Sequence, residues 1–158
     1  MLFTGGPVTE GPGQIAAEDL REPLRSHTDI QKENAKFTKK AFKFYSDLAK
    51  RASANGHVID VFACALDQIG FHEMQDLVKK TGGLVVLADF FDDSMFKQSF
   101  QKIFTRDAQG NLPMAFNANI EVLTSRELKV SGAIGHCFSA SKTSPCVGET
   151  VCEHKFLK

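Results

Sequence analysis

The sequence predicts an α/β domain, a parallel sheet with helices on both faces, followed by the start of an antiparallel β region. Three stretches carry that prediction. Residues 57–66 (HVIDVFACAL) form a nearly unbroken apolar run rich in β-branched residues, which suits a strand covered on both faces. Phe71, Met74, Leu77 and Val78 then recur at helical spacing until Gly82 and Gly83 stop the helix. Residues 84–88 (LVVLA) supply another buried strand, so the three pieces make one βαβ unit with a right-handed crossover.

The remaining elements follow in chain order. Residues 1–4 read as a strand that Gly5, Gly6 and Pro7 break at once. The following loop, TGGPVTEGPGQ, lies where α/β proteins bind phosphates, but it has neither G-x-G-x-x-G nor a phosphate-gripping lysine. It reads as a structural turn. Residues 15–25 are a mixed connector in which Pro23 limits any helix. Thr28 with Gln31 has the form of a capping box, and Asn55-Gly56 is a stop, which predicts one long helix between them. Ile30, Phe37, Ala41, Phe44, Leu48 and Ala52 form its apolar stripe. Asp92 or Asp93 caps a last helix whose Phe96, Phe100, Ile103 and Phe104 form the second cover of the sheet.

Residues 106–113 (RDAQGNLP) mark a boundary, with one domain over about 1–110 and a second over 111–158. Beyond it the period changes from helical to alternating: Met114, Phe116, Ala118, Ile120 and Val122, then Leu128, Val130 and Ile134. This predicts a hairpin with one wet face, and residues 150–157 read as a third strand. Two or three strands do not close a β domain, and three parallel strands leave uncovered edges, so the sequence predicts a piece of a larger protein that is poorly stable alone.

With 42% hydrophobic and 24% charged residues, the 158-residue chain has the composition of a folded domain rather than a disordered one. A formal net charge of zero gives no whole-molecule preference for nucleic acid or membrane. Any charged partner must meet a local patch, and one is present. Residues 28–55 carry seven bases (Lys32, Lys36, Lys39, Lys40, Lys43, Lys50, Arg51) and three acids (Asp29, Glu33, Asp47). That face is a solvated surface in the plain reading and an anion-facing one in the functional reading. There is no basic segment followed by an apolar one at the N-terminus. No apolar run approaches the roughly 18 residues of a membrane span.

Two constellations resemble metal sites. His72-Glu73-Met74-Gln75-Asp76 places Asp76 where the zinc helix H-E-x-x-H needs its second histidine, and no third ligand is evident. Cys137, Cys146, Cys152 and His154 give C-x8-C-x5-C-x-H, which approaches a C-C-C-H zinc finger but has one residue before its histidine instead of three. Ordinary thiols, with Cys64 inside the central strand, are the plainer reading. Ser139, Ser141 and Ser144 lie in a polar stretch without G-x-S-x-G, so no nucleophile with a neighbouring base is identified.

Through residue 107 the order of elements resembles a von Willebrand factor A-like domain. Metal-binding members of that fold end the strand corresponding to MLFTGG in an aspartate, where this chain has Gly5 or Gly6, and their D-x-S-x-S is absent. The wording of the sequence narrows the match. MLFTGGP, GPG, EPLRSH, DIQKENAKF, ANGHVIDVFACALDQIG, TGG, MFKQSFQKIFTRD and TSRELKVSGAIG resemble the trunk and early β-sandwich of the GTPase-activating subunit of the inner COPII vesicle coat. After Ile134 the likeness weakens, with Gly135-His136-Cys137 standing for the family's G-P-C and His154-Lys155 near its Trp-Lys pair.

The resemblance implies a cytoplasmic coat protein, peripheral on the endoplasmic reticulum and its vesicles, that works in transport to the Golgi. Its implied partners are a Sar-type small GTPase, the cargo-selecting inner-coat subunit, the outer coat and an anionic membrane surface, with no nucleic acid. The family's activating arginine and structural zinc map outside these residues. No catalytic, cofactor or metal residue is therefore assigned, and Arg21, Arg25, Arg51, Arg106 and Arg126 are not given the arginine-finger role. The rivals are a metal-free A-domain scaffold and an RNA-binding C-C-C-H zinc module.

Overall fold

The computed structural model describes residues 1–19, 23–140 and 144–148. Among them a parallel sheet of three strands, β1 (Leu2–Thr4), β2 (Val61–Cys64) and β3 (Val85–Ala88), runs in the order β1-β2-β3. Two crossovers that advance the sheet in one direction place their helices on one face. That face carries α2 (Thr38–Ala54) and α3 (Phe71–Thr81), with the short α1 (His27–Gln31) leading into α2. The opposite face is covered by α4 (Ser94–Ile103).

Strand alternation in β2 divides the core. Val61 and Ala63 meet Ala41, Tyr45 and Ala49 of α2 and Met74, Leu77 and Val78 of α3. Phe62 and Cys64 point the other way, against Phe96, Phe100 and Ile103. All four β2 residues are buried, as expected for a central strand, but the run expected over 57–66 is buried only there: Ala65 is half-buried and Leu66 is exposed. Phe62 is the hub of the second layer. Its ring stacks on Phe3 at 5.1 Å and meets Phe96 and Phe100 edge-on at 5.6 and 5.5 Å.

The α3 boundaries follow the sequence reading. Gly82 closes the helix in the left-handed conformation (φ 75°), which glycine adopts without a Cβ penalty. Asp93 caps α4 by accepting from the Met95 N–H at 2.7 Å.

Four expectations are corrected. The long helix over 28–55 is two helices, because Glu33 takes a positive φ of 56° and turns the chain between them. Its capping box lies earlier than Thr28 and Gln31: the Ser26 hydroxyl accepts from Asp29 N–H, and Asp29 accepts from Ser26 N–H. The predicted α2 stripe holds at buried Ala41 and at half-buried Phe44 and Leu48, but it omits Tyr45 and Ala49, which complete an i, i+4, i+8 line with Ala41. Strand β3 lies at the sheet edge with Leu87 exposed, not buried like β2.

The hairpin predicted over 114–134 is not formed. These residues hold no strand, and Ile120 and Ile134 are 87% and 98% exposed. Val130 makes an isolated bridge to Val147. Alternation specifies which side chains share a face, yet a two-stranded pair is marginal until another layer covers that face, and none of the described elements does so. The expected third strand at 150–157 lies outside the described residues.

Candidate functional site

The residues able to engage a ligand or partner fall in three places. The glycine loop after β1 is one. It is filled from within: Thr4 Oγ1 donates to Gly6 O at 2.8 Å, and buried Tyr45 donates to Gly13 O at 2.9 Å. A Cβ on Gly13 would lie 2.7 Å from that phenol oxygen, so glycine is required by close packing against α2. Burial and the Glu73 charge raise the Tyr45 pKa, which keeps the phenol a neutral donor. The loop thus anchors the connector, whose Ile15 and Ala16 are buried.

The first turn of α3 is the second place. Glu73 is fully buried, and both of its carboxylate oxygens accept from the Arg25 guanidinium, whose side chain is 8% exposed. Thr38 Oγ1 adds a third donor at 2.9 Å, and the remaining Arg25 nitrogen donates to Gln68 at 2.6 Å. This satisfied network joins the connector, α2 and α3. The HEMQD motif was therefore informative for a different reason from the one its spacing suggested. Asp76 pairs with Lys80 at 2.8 Å, and His72 lies beside Phe42 with ring centroids 6.2 Å apart. Glu73, read only as the middle of a near-motif, is the residue that matters structurally. Its signal was a carboxylate between Phe71 and Met74 on the apolar side of the helix.

Beyond this network the carboxyl ends of β2 and β3 border an open crevice of about 350 Å³. Its lining includes Ala63, Ala65 and Leu87 from the sheet, Phe71 from α3, and Asp67 and Asp89 from the following loops.

The third place is the α2 face, where Lys39, Lys40 and Lys43 are exposed. Lys39 pairs with Glu33 at 2.5 Å, and Lys36 sits 5.1 Å above the Phe37 ring. Lys80 of α3, already paired with Asp76, also donates to Ser46 at 2.8 Å and so ties the neighbouring helix to this face.

The cysteines divide by environment. Cys64 is buried, which raises its pKa and keeps it a thiol. Cys146 sits beside the Thr124 N–H at 3.5 Å, and that hydrogen bond lowers its pKa. Cys137 is exposed, while Cys152 and His154 lie outside the described residues, as do Arg21 and Ser141. Ser144 accepts from Cys146 N–H at 3.3 Å, and Ser139 is exposed. Arg106 donates to Gly110 O at 3.0 Å, closing its own loop, and Arg51 and Arg126 are surface residues. No described helix is long and apolar enough to cross a membrane.

A three-stranded parallel sheet with α2 and α3 on one face and α4 on the other is the arrangement of a von Willebrand factor A-like α/β module. Residues 1–104 match the family model described as the Sec23/Sec24 trunk domain, a span that covers every helix and strand named above. The chain belongs to the Sec23/Sec24 family and is a component of the COPII coat of vesicle transport.

Proposed function

We propose that within this family the chain belongs to the GTPase-activating branch and serves as structural, partner-binding trunk rather than as a catalyst. The observation that carries the reading is the ordered set of sequence strings, particularly TSRELKVSGAIG at 124–135, which continues the likeness past the matched trunk. In this reading the cargo-selecting subunit and a Sar-type GTPase are direct partners, and the outer coat assembles on the complex. The chain acts at the cytoplasmic face of the endoplasmic reticulum and its vesicles. The activating arginine is none of Arg21, Arg25, Arg51, Arg106 and Arg126. The engagement of Arg25 by Glu73 and Gln68 supports that exclusion, since a finger must be free to reach a phosphate. No zinc or other cofactor is assigned to this chain, the family's structural zinc being expected on an upstream segment.

The lysine face of α2 is the surface best suited to anionic lipid, because several exposed bases share one helix side.

The test is size-exclusion chromatography of the chain with each inner-coat subunit separately. Co-elution with the cargo-selecting subunit alone is expected. Co-elution with the GTPase-activating subunit alone would assign the chain to the cargo-selecting branch.

A further inference from the structure

The crevice at the carboxyl ends of β2 and β3 borders the Arg25–Glu73 network, whose Arg25 and Gln68 form part of its lining, and lies apart from the lysine face. Its floor is small, because Ala63 and Ala65 follow each other on the α3 side of β2 and α3 begins only at Phe71. Leu87, paired with Ala63 across the sheet, is consequently left 58% exposed beside that floor. The volume, about 350 Å³, lies within the roughly 300–1,000 Å³ range of ligand pockets. Strand β3 has β2 on one side only among the described residues, so an extended segment can pair along its other side.

Charge selects among occupants. Of the described residues lining the crevice, Asp67 and Asp89 are exposed acids. Arg25 and His72 are the described basic side chains of the lining, and the Arg25 guanidinium is spent on Glu73 and Gln68. The lining is thus apolar at the floor and negative at the rim.

We propose that this crevice docks an extended basic peptide segment of a partner protein. The segment adds along β3, packs one aliphatic side chain against Leu87 at the edge of the Ala63–Ala65 floor, and turns its lysines or arginines toward Asp67 and Asp89. The edge supplies main-chain hydrogen bonds, the floor selects side-chain size, and the aspartates select sign. This goes beyond coat membership and does not depend on which branch of the family the chain represents.

Fluorescence anisotropy with the whole chain tests it, using labelled hexapeptides that alternate lysine with leucine, glutamate with leucine, and lysine with serine. The lysine–leucine peptide is expected to bind at least tenfold more tightly than either other. The Asp67→Lys/Asp89→Lys variant should reverse the preference between the lysine–leucine and glutamate–leucine peptides. Leu87→Asn, a change at an exposed position, should weaken lysine–leucine binding about tenfold and provides the decision if the double variant fails to fold. Equal binding of the lysine–leucine and lysine–serine peptides, or affinity unchanged in a folded variant, would overturn the proposal. So would a wild-type dimer, seen by sedimentation, that dissociates on Leu87→Asn, because the occupant would then be a second copy of the chain.

Discussion

Arg25 and Glu73 stand 48 positions apart in sequence and join as a bidentate pair, with the carboxylate completely shielded from water. The pair ties the connector after β1 to the first turn of α3, and Thr38 brings in α2 through the same carboxylate. A buried ion pair is weak evidence for net stability, since desolvation offsets much of the attraction. Removing one partner is another matter. Glu73→Ala should cost about 3–5 kcal/mol because it leaves a guanidinium buried against an apolar gap. The double change Arg25→Met/Glu73→Leu should cost less than that single change. Urea unfolding followed by circular dichroism measures both, and a loss below about 1 kcal/mol for Glu73→Ala would show that Arg25 relaxes into water.

Gly82 and Gly83 punctuate the same helix for different reasons, so their alanine variants should separate. Gly82 is left-handed but faces open space, with its nearest neighbour, His136 O, 4.0 Å from a built Cβ. Alanine there should cost about 1–2 kcal/mol, the usual left-handed penalty. At Gly83 the Cβ would fall 1.9 Å from Ile59 O, a collision with backbone just before β2. Thermal melts should therefore place Gly83→Ala clearly below Gly82→Ala, and the opposite order would mean that the loop before β2 yields easily.

These positions also explain what sequence could reveal. The core of β2, the Gly82 stop and the Asp93 cap were legible because each depends on local chemistry: apolar β-branched residues, a missing Cβ, a carboxylate at a helix start. The break at Glu33 was not, because a glutamate in the left-handed region carries no composition signal, and the Ser26–Asp29 box has to be seen against the turn that follows it. Glu73 was hidden because its burial depends on Arg25 arriving from the connector. The Met114–Val122 alternation reported a face but not the layer needed to bury it. The crevice floor had a faint signal in the paired small residues Ala63 and Ala65, whose meaning required the starting point of α3.

Thiol chemistry should differ between Cys64 and Cys146. The Thr124 N–H stabilises the Cys146 thiolate and lowers its pKa, whereas burial disfavours the Cys64 thiolate and raises its pKa. Iodoacetamide labelling of the folded chain, quantified by peptide mass spectrometry from pH 6 to 9, should modify Cys146 first and at lower pH. Cys64 should react appreciably only after unfolding. Equal rates under folding conditions would mean that β2 opens readily.

The α2 face makes a salt-dependent prediction. Lys40 and Lys43 on α2 and Lys36 just before it are exposed, while Lys39 is partly offset by Glu33. Each base near an anionic membrane contributes about 1 kcal/mol before screening. Changing Lys36, Lys40 and Lys43 to glutamate should reduce recruitment to phosphatidylserine liposomes steeply at low salt, and the difference should shrink at high ionic strength as the Debye length falls below about 10 Å. Unchanged flotation at low salt would leave the lysines as a solvated face.

The proposed separation of positioning from chemistry makes the last prediction. A trunk that binds a Sar-type GTPase changes affinity and orientation, whereas an arginine placed on the transferring phosphoryl group accelerates hydrolysis by about 10³–10⁵. Arg25 is held by two acceptor side chains, and Arg106 is bonded to Gly110 O in its own loop. Freeing Arg25 would expose Glu73 as an unpaired buried charge, a penalty that opposes its use as a mobile finger. With this chain in excess, single-turnover GTP hydrolysis by the GTPase should therefore proceed within a few-fold of its intrinsic rate. A hundredfold acceleration, lost when Arg51, Arg106 or Arg126 is changed to alanine without loss of binding, would place the catalytic element within this chain and overturn the trunk-only reading.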